Sequence, residues 1–215
     1  MDGTKEVALT SCDGEPFLFP NDLAFGPDGK LYMTDSGILF QDFAPGGKVR
    51  PDYADVYPDG RVYAIDVETL KINKLDSGIR FTNGIAFGPG DDLYVNETLT
   101  GMVYRYRRHG SSGFGPREDF ANVIDPQAPE GLKGPDGMKF GLDGRLYVTV
   151  FGQGDVTVLG NDGKVVERIR TEGRLPTNCA FGHAGSQRLY VTEDEFGTLE
   201  VFDVGADGLP LHRGG

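Results

Sequence analysis

Four polar residues begin four similar segments of the sequence, at Asn21, Asn83, Asp136 and Asn178. Carboxylate and amide oxygens without thiolates are the donors that calcium, magnesium and manganese prefer. Zinc is an alternative, but these residue types do not select it. Asn and Asp also cap turns by accepting hydrogen bonds from backbone N–H groups, so a structural role is an equal alternative on residue type alone. Turn caps need not occupy the same place in every segment, and this equivalence of position favours a shared cation site.

The segments that carry these residues form an internal repeat. Residues 21–35 read NDLAFGPDGKLYMTD, and residues 83–97 read NGIAFGPGDDLYVNE. Two further copies begin near residues 136 and 178. The copies start about 40 to 60 residues apart, which is the size of a four-stranded propeller blade with variable loops.

Each copy predicts a β-hairpin, because two alternating apolar runs flank a turn rich in Gly, Pro and Asp. Two more strands follow each hairpin, and no segment shows a convincing helical period. The sequence therefore predicts an all-β fold, a β-propeller of four-stranded antiparallel blades stacked around an axis. Small residues at Ala24, Ala86 and Ala180 make the opening strand of each blade the innermost one. The polar residues then face one mouth of the central channel.

Two recurring side-chain types are predicted to be structural. Tyrosine occupies one repeat position in all four copies, which indicates packing between blades and not a binding cage. Asp35, Asn96 and Glu97 end the second strands of their blades, where capping of the strand is favoured over contact with a substrate.

Composition argues against several partners. The formal net charge of −12 opposes binding to nucleic acid or to anionic lipid. No apolar run approaches the roughly 20 residues of a membrane helix, and the N-terminus lacks a signal-peptide core. Cys12 and Cys179 are predicted to be buried free thiols. We expect a cytoplasmic protein with neither a nucleic acid nor a membrane partner.

The segments FPNDL, TNGI, GPDGM and PTNCAFG, in this order and spacing, resemble successive blades of the senescence marker protein/gluconolactonase/luciferin-regenerating enzyme family. The resemblance covers nearly the whole chain. It implies a six-bladed propeller that holds one divalent cation at its channel mouth and hydrolyses lactones. By the same resemblance, Asn83 and Asp136 match metal ligands, and Asn21 matches a residue that contacts the substrate or a metal-bound water. Asp136 is also the candidate catalytic base, and Asn178 lines the channel at most.

One family feature has no match here. The family's first blade begins with a Glu ligand in a Glu-Gly-Pro setting, and the sequence before Asn21 contains none. Residues 5–9 are predicted to form an outer strand of the preceding blade, so we expect about two blades to be missing ahead of Met1. Residues 1–215 would then form a single partial propeller domain, with about four blades plus an outer strand. Open blade edges predict self-association, and the missing anionic ligand predicts weaker cation binding.

Together these features predict divalent-cation-dependent hydrolysis of a small, sugar-type lactone, with activity reduced in this chain. Calcium is the first choice of cation, ahead of magnesium, manganese and zinc. Phe19 stands where sugar-lactone members of the family often carry Arg, which argues against a gluconate-type substrate. The alternative is a non-catalytic propeller fragment that binds calcium or a partner protein.

Overall fold

The structure is a computed structural model that describes residues 3, 5–110 and 113–214. A hairpin of two-residue strands, β1 (Ser11–Cys12) and β2 (Glu15–Pro16), precedes four antiparallel sheets. The first sheet, blade 1, contains β3 (Pro20–Phe25), β4 (Leu31–Asp35), β5 (Gly60–Ile65) and β6 (Ile72–Ile79). Blade 2 contains β7 (Thr82–Phe87), β8 (Leu93–Glu97), β9 (Met102–Arg108) and β10 (Phe114–Asn122). Blade 3 contains β11 (Gly134–Phe140), β12 (Leu146–Phe151), β13 (Asp155–Leu159) and β14 (Val165–Arg170). Blade 4 contains β15 (Pro176–Phe181), β16 (Arg188–Glu193) and β17 (Thr198–Asp203).

This architecture confirms the predicted all-β propeller of antiparallel blades; blades 1 to 3 have the predicted four strands, and blade 4 has three among the described residues. In each blade the strands are hydrogen-bonded in chain order, so every connection is a hairpin. The opening strands β3, β7, β11 and β15 contact one another in that order. They are the innermost strands, as the small residues predicted.

The blades are held together by apolar side chains on their facing sides. Between blades 1 and 2, for example, Val62 and Ala64 pack with Ile85 and Val95. A Tyr on the second strand of one blade meets a Phe on the innermost strand of the next blade. These edge-to-face pairs, with their ring-centroid distances, are Tyr32–Phe87 (5.0 Å), Tyr94–Phe140 (4.8 Å) and Tyr147–Phe181 (5.1 Å). Each pair contributes about 0.5–1.5 kcal/mol beyond the burial of its area. The inter-blade role predicted for the repeated tyrosines is confirmed for these three.

The N-terminal segment covers the outer face of blade 1. Cys12 is buried beside Met33 and Tyr63, and the Phe17 ring meets the Tyr63 ring at 5.3 Å. The prediction of an outer strand over residues 5–9 is wrong, because that segment forms no ladder and the chain pairs only in the short β1–β2 hairpin. The chain instead packs Leu9, Cys12 and Phe17 on the face of the blade, while Val7 is exposed.

Blade 4 ends in a strand edge. β17 pairs with β16 on one side, and Leu199 and Val201 on it are exposed. Cys179 in this blade is buried with a free thiol, and Cys12 likewise, as predicted.

A long connection between β4 and β5 lies near the innermost strands. It contains the one-turn helix α1 (Phe40–Phe43) and two short 3₁₀ turns, Pro45–Gly47 and Tyr53–Asp55. Phe43 and Ala44 are buried against Phe81, which precedes β7. This connection therefore overhangs the start of blade 2. Among the residues that the structure describes, no helix has the length and apolarity needed to cross a membrane.

Candidate functional site

The innermost strands of blades 1, 2 and 3 each break their regular pairing at the predicted site residue. In β3 the register shifts between Pro20 and Leu23, which places Asn21 in the bulge. The corresponding shifts in β7 and β11 enclose Asn83 and Asp136. A bulge leaves its extra residue unpaired and re-aims the side chain, so it can turn a polar group towards the axis. All three residues line one solvent-open cavity of about 310 Å³.

Neighbouring innermost strands lie so close together that the residue after Asn83 and the residue after Asp136 have no room for a side chain. A Cβ added to Gly84 would clash with the carbonyl oxygen of Asp136, and one on Gly137 would clash with the Asn178 side chain. Glycine at these two positions therefore brings Asn83 and Asp136 to neighbouring points on the axis.

Hydrogen bonds fix the orientation of the Asn83 amide. Its Nδ2 donates to Thr98 Oγ1 at 3.1 Å, and Thr98 Oγ1 donates in turn to the carbonyl of Pro135 at 2.9 Å. A hydroxyl has one hydrogen, so Thr98 can only accept from Asn83. This leaves Oδ1 as the atom of the amide that is free to act as an acceptor in the cavity.

Blade 1 repeats the arrangement. Asn21 Nδ2 donates to Ser36 Oγ at 3.1 Å, and Ser36 Oγ donates to the carbonyl of Thr82 at 2.8 Å. In both blades the residue with the hydroxyl follows its asparagine by 15 positions. The hydroxyl donates to the backbone carbonyl of the residue that precedes the site residue of the next blade. Each of these relays, from an asparagine amide through a hydroxyl to a backbone carbonyl, therefore leaves the amide oxygen free and also links neighbouring blades.

Asp136 supplies the carboxylate of the site. Its backbone carbonyl accepts a 2.6 Å hydrogen bond from Asn96 Nδ2. The residue is partly buried. The pKa of its carboxyl is raised from 3.8 to about 7, mainly by burial and also by the nearby charge of Asp22, while a hydrogen bond from Asn83 opposes the shift. Without a bound cation, the fold thus disfavours the charged form of this group.

Asn178 is not the fourth member of the set, which corrects the predicted equivalence. Pairing of Phe181 with Leu189 matches that of Phe25 with Leu31, so counting back along β15 puts Thr177 at the Asn21 position. Asn178 instead matches Asp22, and the two make the same contacts. Each backbone N–H donates at 3.1 Å to a Thr hydroxyl on the second strand, and each Oδ1 accepts from the following N–H at 2.8 Å.

The carboxylates that end the second strands are caps, as predicted. Asp35 accepts hydrogen bonds from the backbone N–H groups of Leu18, Phe19 and Gly37. Glu97 accepts one from the N–H of Arg80. These contacts hold the chain that leads into each innermost strand.

Aromatic side chains form a large part of the remaining cavity wall. Five phenylalanines line it: Phe19, Phe40, Phe43, Phe81 and Phe151. Asp194, which follows β16, also lines the cavity and corresponds in the repeat to Ser36 and Thr98. The sequence reasoning missed Ser36, Thr98 and most of this wall. A signal existed only for the two hydroxyls, in their equal spacing from the asparagines.

The donors present suit a hard cation. One carboxylate and two oriented amide oxygens are oxygen ligands of the kind that calcium takes, although calcium takes six to eight in all. Within the described ranges, no three His, Cys, Asp or Glu side chains are grouped so as to hold a metal. Asn21, Asn83 and Asp136 would thus supply a minority of the ligands, with a single charge among them.

The fold and the cavity define a β-propeller with a polar site at its axis, and the comparisons with known proteins agree. The sequence pattern of the SMP-30/Gluconolactonase/LRE-like region matches residues 1–194. The chain therefore belongs to this family.

Individual relatives are distant and longer. A cell growth-regulated gene 1 protein of Candida albicans is 27% identical over 223 residues, covering 94% of this chain and 61% of that protein. A gluconolactonase of Zymomonas mobilis is 26% identical over 196 residues, covering 87% of this chain and 51% of that enzyme. The chain thus spans about half to two-thirds of the length of these relatives.

Solved structures show the same fold. A gluconolactonase from Xanthomonas campestris superposes with a TM-score of 0.71 at 26% identity, over 97% of this chain and 63% of that one. A calcium-binding protein from Agrobacterium tumefaciens, regucalcin, superposes with a TM-score of 0.67 at 21% identity, over 88% of this chain and 61% of that one.

Proposed function

We propose that this chain carries the site of a divalent-cation-dependent hydrolase that opens a small lactone. The observation that carries the proposal is the convergence of Asn21, Asn83 and Asp136 on one cavity, in a member of a family that includes gluconolactonases. A lactonase needs an anionic or amide oxygen set for the cation and a proton acceptor for water, and the cavity contains both.

In this proposal Asn83 and Asp136 hold the cation, and Asn21 contacts the substrate. When bound, the cation would stabilise negative charge that develops on the carbonyl oxygen of the ester. Asp136 accepts a proton from the attacking water, and the relays through Ser36 and Thr98 hold the asparagine amides with their oxygens turned to the cavity. The phenylalanine wall excludes bulk water from one side of the substrate.

Calcium is the cation that we would test first, because the ligands are all oxygens and regucalcin is a calcium-binding protein of the same fold. Magnesium, manganese and zinc are the alternatives. A further Glu ligand stays a prediction, as do the sugar-type substrate, the reduced activity and the single partial domain over residues 1–215. Self-association through open blade edges, a cytoplasmic location, and the lack of nucleic acid or membrane partners also stay predictions.

The test is hydrolysis of a panel of lactones, followed as acid release at constant pH. The unmodified chain is assayed with calcium and with chelator, beside Asp136→Ala. A matched control is Asp162→Ala, which removes an exposed carboxylate in the turn between β13 and β14. We expect turnover that requires calcium and Asp136 but not Asp162. Equal rates in all four samples would reject the proposal.

The second candidate is a non-catalytic calcium-binding propeller, which the fold likeness to regucalcin favours. Calorimetric titration with calcium separates the two functions. Calcium binding that depends on Asp136, without turnover of any lactone, would favour the binding protein.

A further inference from the structure

The cavity that contains Asn21, Asn83 and Asp136 has a strongly asymmetric lining. Its polar side chains are those of Asn21, Asn83, Thr98, Asp136 and Asp194, whereas the rest of the lining is mostly aromatic and aliphatic. The apolar lining residues are Phe19, Phe40, Phe43, Ala44, Val49, Phe81, Leu132 and Phe151. None of the described lining residues is Lys, Arg or His. The site therefore has an apolar region beside its polar centre.

The aromatic rings support one another, so this region is organised before any ligand arrives. Phe19 meets Phe40 edge-to-face at 5.6 Å and Phe81 at 6.1 Å, and Phe43 packs on Phe81 at 4.6 Å. Phe43 and Phe81 are buried, but 53% of Phe40 is exposed. A large exposed aromatic ring held at a cavity by its neighbours offers apolar contact area to a ligand.

Such a wall suits some lactones and not others. A sugar lactone carries hydroxyl groups on most of its carbons, and each hydroxyl placed against a phenyl ring loses a hydrogen bond to water without replacement. An alkyl substituent has the opposite balance, because its transfer from water to the aromatic surface is favourable.

We propose that the substrate is a lactone whose ring carries an apolar alkyl substituent, with the substituent lying against the wall of Phe19, Phe40 and Phe81. This inference rests on the proposed lactonase function and narrows its substrate class away from the sugar lactones. The lactone carbonyl would face Asn21, Asn83 and Asp136, and the alkyl chain would extend towards α1.

The first measurement is kcat/KM for γ-lactones whose side chain grows from one to six carbons, with δ-gluconolactone as the polar comparison. Each methylene that reaches the wall should raise kcat/KM about three- to fourfold. The second measurement needs no catalysis: calorimetric binding of the γ-lactams that carry the same side chains, which resist hydrolysis.

Phe40→Ser removes one exposed ring of the wall, and Phe196→Ser is its matched control. Phe196 is 62% exposed in the turn before β17 and does not line the cavity. For Phe40→Ser we expect a loss of lactam affinity that grows with chain length, to about three- to tenfold for the longest chain. Phe196→Ser should bind like the unmodified protein. Thermal unfolding of both variants checks that each is folded.

The outcomes separate this inference from the proposed function. Efficient hydrolysis of δ-gluconolactone with no gain from longer alkyl chains overturns the inference and leaves the lactonase function in place. Phe40-dependent binding of alkyl lactams without hydrolysis of any lactone supports the apolar site and rejects the lactonase function. Lactam binding that is absent, or equal in Phe40→Ser and Phe196→Ser, overturns the inference whatever the enzyme assay gives.

Discussion

Replacing Asp136 by Asn should stabilise the metal-free protein, and the gain should grow with pH. The carboxyl of Asp136 has a pKa raised from 3.8 to about 7, mainly by burial and also by the charge of Asp22. Between these values the folded chain binds more protons at this group than the unfolded chain does. The free energy of unfolding therefore falls as pH rises from about 4 to about 7. The Asp136→Asn variant would have no such dependence at this position, since an amide does not titrate.

The size of the effect follows from the two pKa values. Above both, the penalty on the folded state is at most about 4 kcal/mol, at about 1.4 kcal/mol for each tenfold change in proton affinity. At pH 5 part of this penalty is already present, because the unfolded chain has lost the proton. The stability difference between Asp136→Asn and the unmodified protein should therefore grow by about 2–3 kcal/mol from pH 5 to pH 8.

Urea unfolding at both pH values, with chelator present, measures the difference. Asp162→Asn is the control, because its carboxylate is exposed and ion-paired to Lys164, which lowers its pKa. No comparable growth with pH is expected for that variant. If the free energy of unfolding changed with pH equally in Asp136→Asn and in the unmodified protein, the result would refute the view that the fold disfavours the Asp136 charge. Added calcium should stabilise the unmodified protein at pH 8 more than Asp136→Asn, since the cation offsets that charge.

Three further substitutions test the site and the core. Thr98→Val should weaken calcium binding about 10- to 100-fold in calorimetry, because the Asn83 amide loses the contact that orients it, whereas Thr98→Ser should retain the affinity; equal affinities in both would contradict the relay. Gly84→Ala should cost about 2 kcal/mol or more in urea unfolding and also weaken calcium binding, because its methyl group would displace the Asp136 backbone. An unchanged unfolding midpoint would contradict this close approach. Phe140→Ala should cost about 3–5 kcal/mol in the same assay, since it removes the partner of Tyr94 between blades 2 and 3; a cost below about 1 kcal/mol would be incompatible with that packing.

Much of the architecture could be predicted from the sequence because its causes are local and repeated. Alternating apolar runs and Asp-Gly turns determine the hairpins, and the tyrosines at one repeat position, such as Tyr94, determine the packing between blades. The meeting of Asn21, Asn83 and Asp136 followed from the same logic, since equivalent positions of radially stacked blades lie at one end of the axis.

The remaining features depend on contacts between segments that share no periodic signal. The N-terminal segment, for example, covers blade 1 through the burial of Cys12 and not through a strand. The one-residue shift of alignment that exchanged Thr177 with Asn178 has a different cause, because counting back from the Ala-Phe-Gly that blades 1 and 4 share already places Thr177 at the Asn21 position.

The site shows the same division between local and tertiary causes. The sequence identified Asn21, Asn83 and Asp136 among the residues that supply oxygens to the cavity, but not Thr98 or Asp194. The tertiary structure decided which atom of the Asn83 amide is held by Thr98, because the hydrogen of Thr98 is taken by the carbonyl of Pro135 in the next blade, which leaves Oδ1 as the free acceptor. It also decided the apolar character of the wall, which arises when the irregular connection that carries Phe40 folds over the start of blade 2. An irregular connection has no period that could predict where its side chains lie, so only its packing against the blades determines their positions.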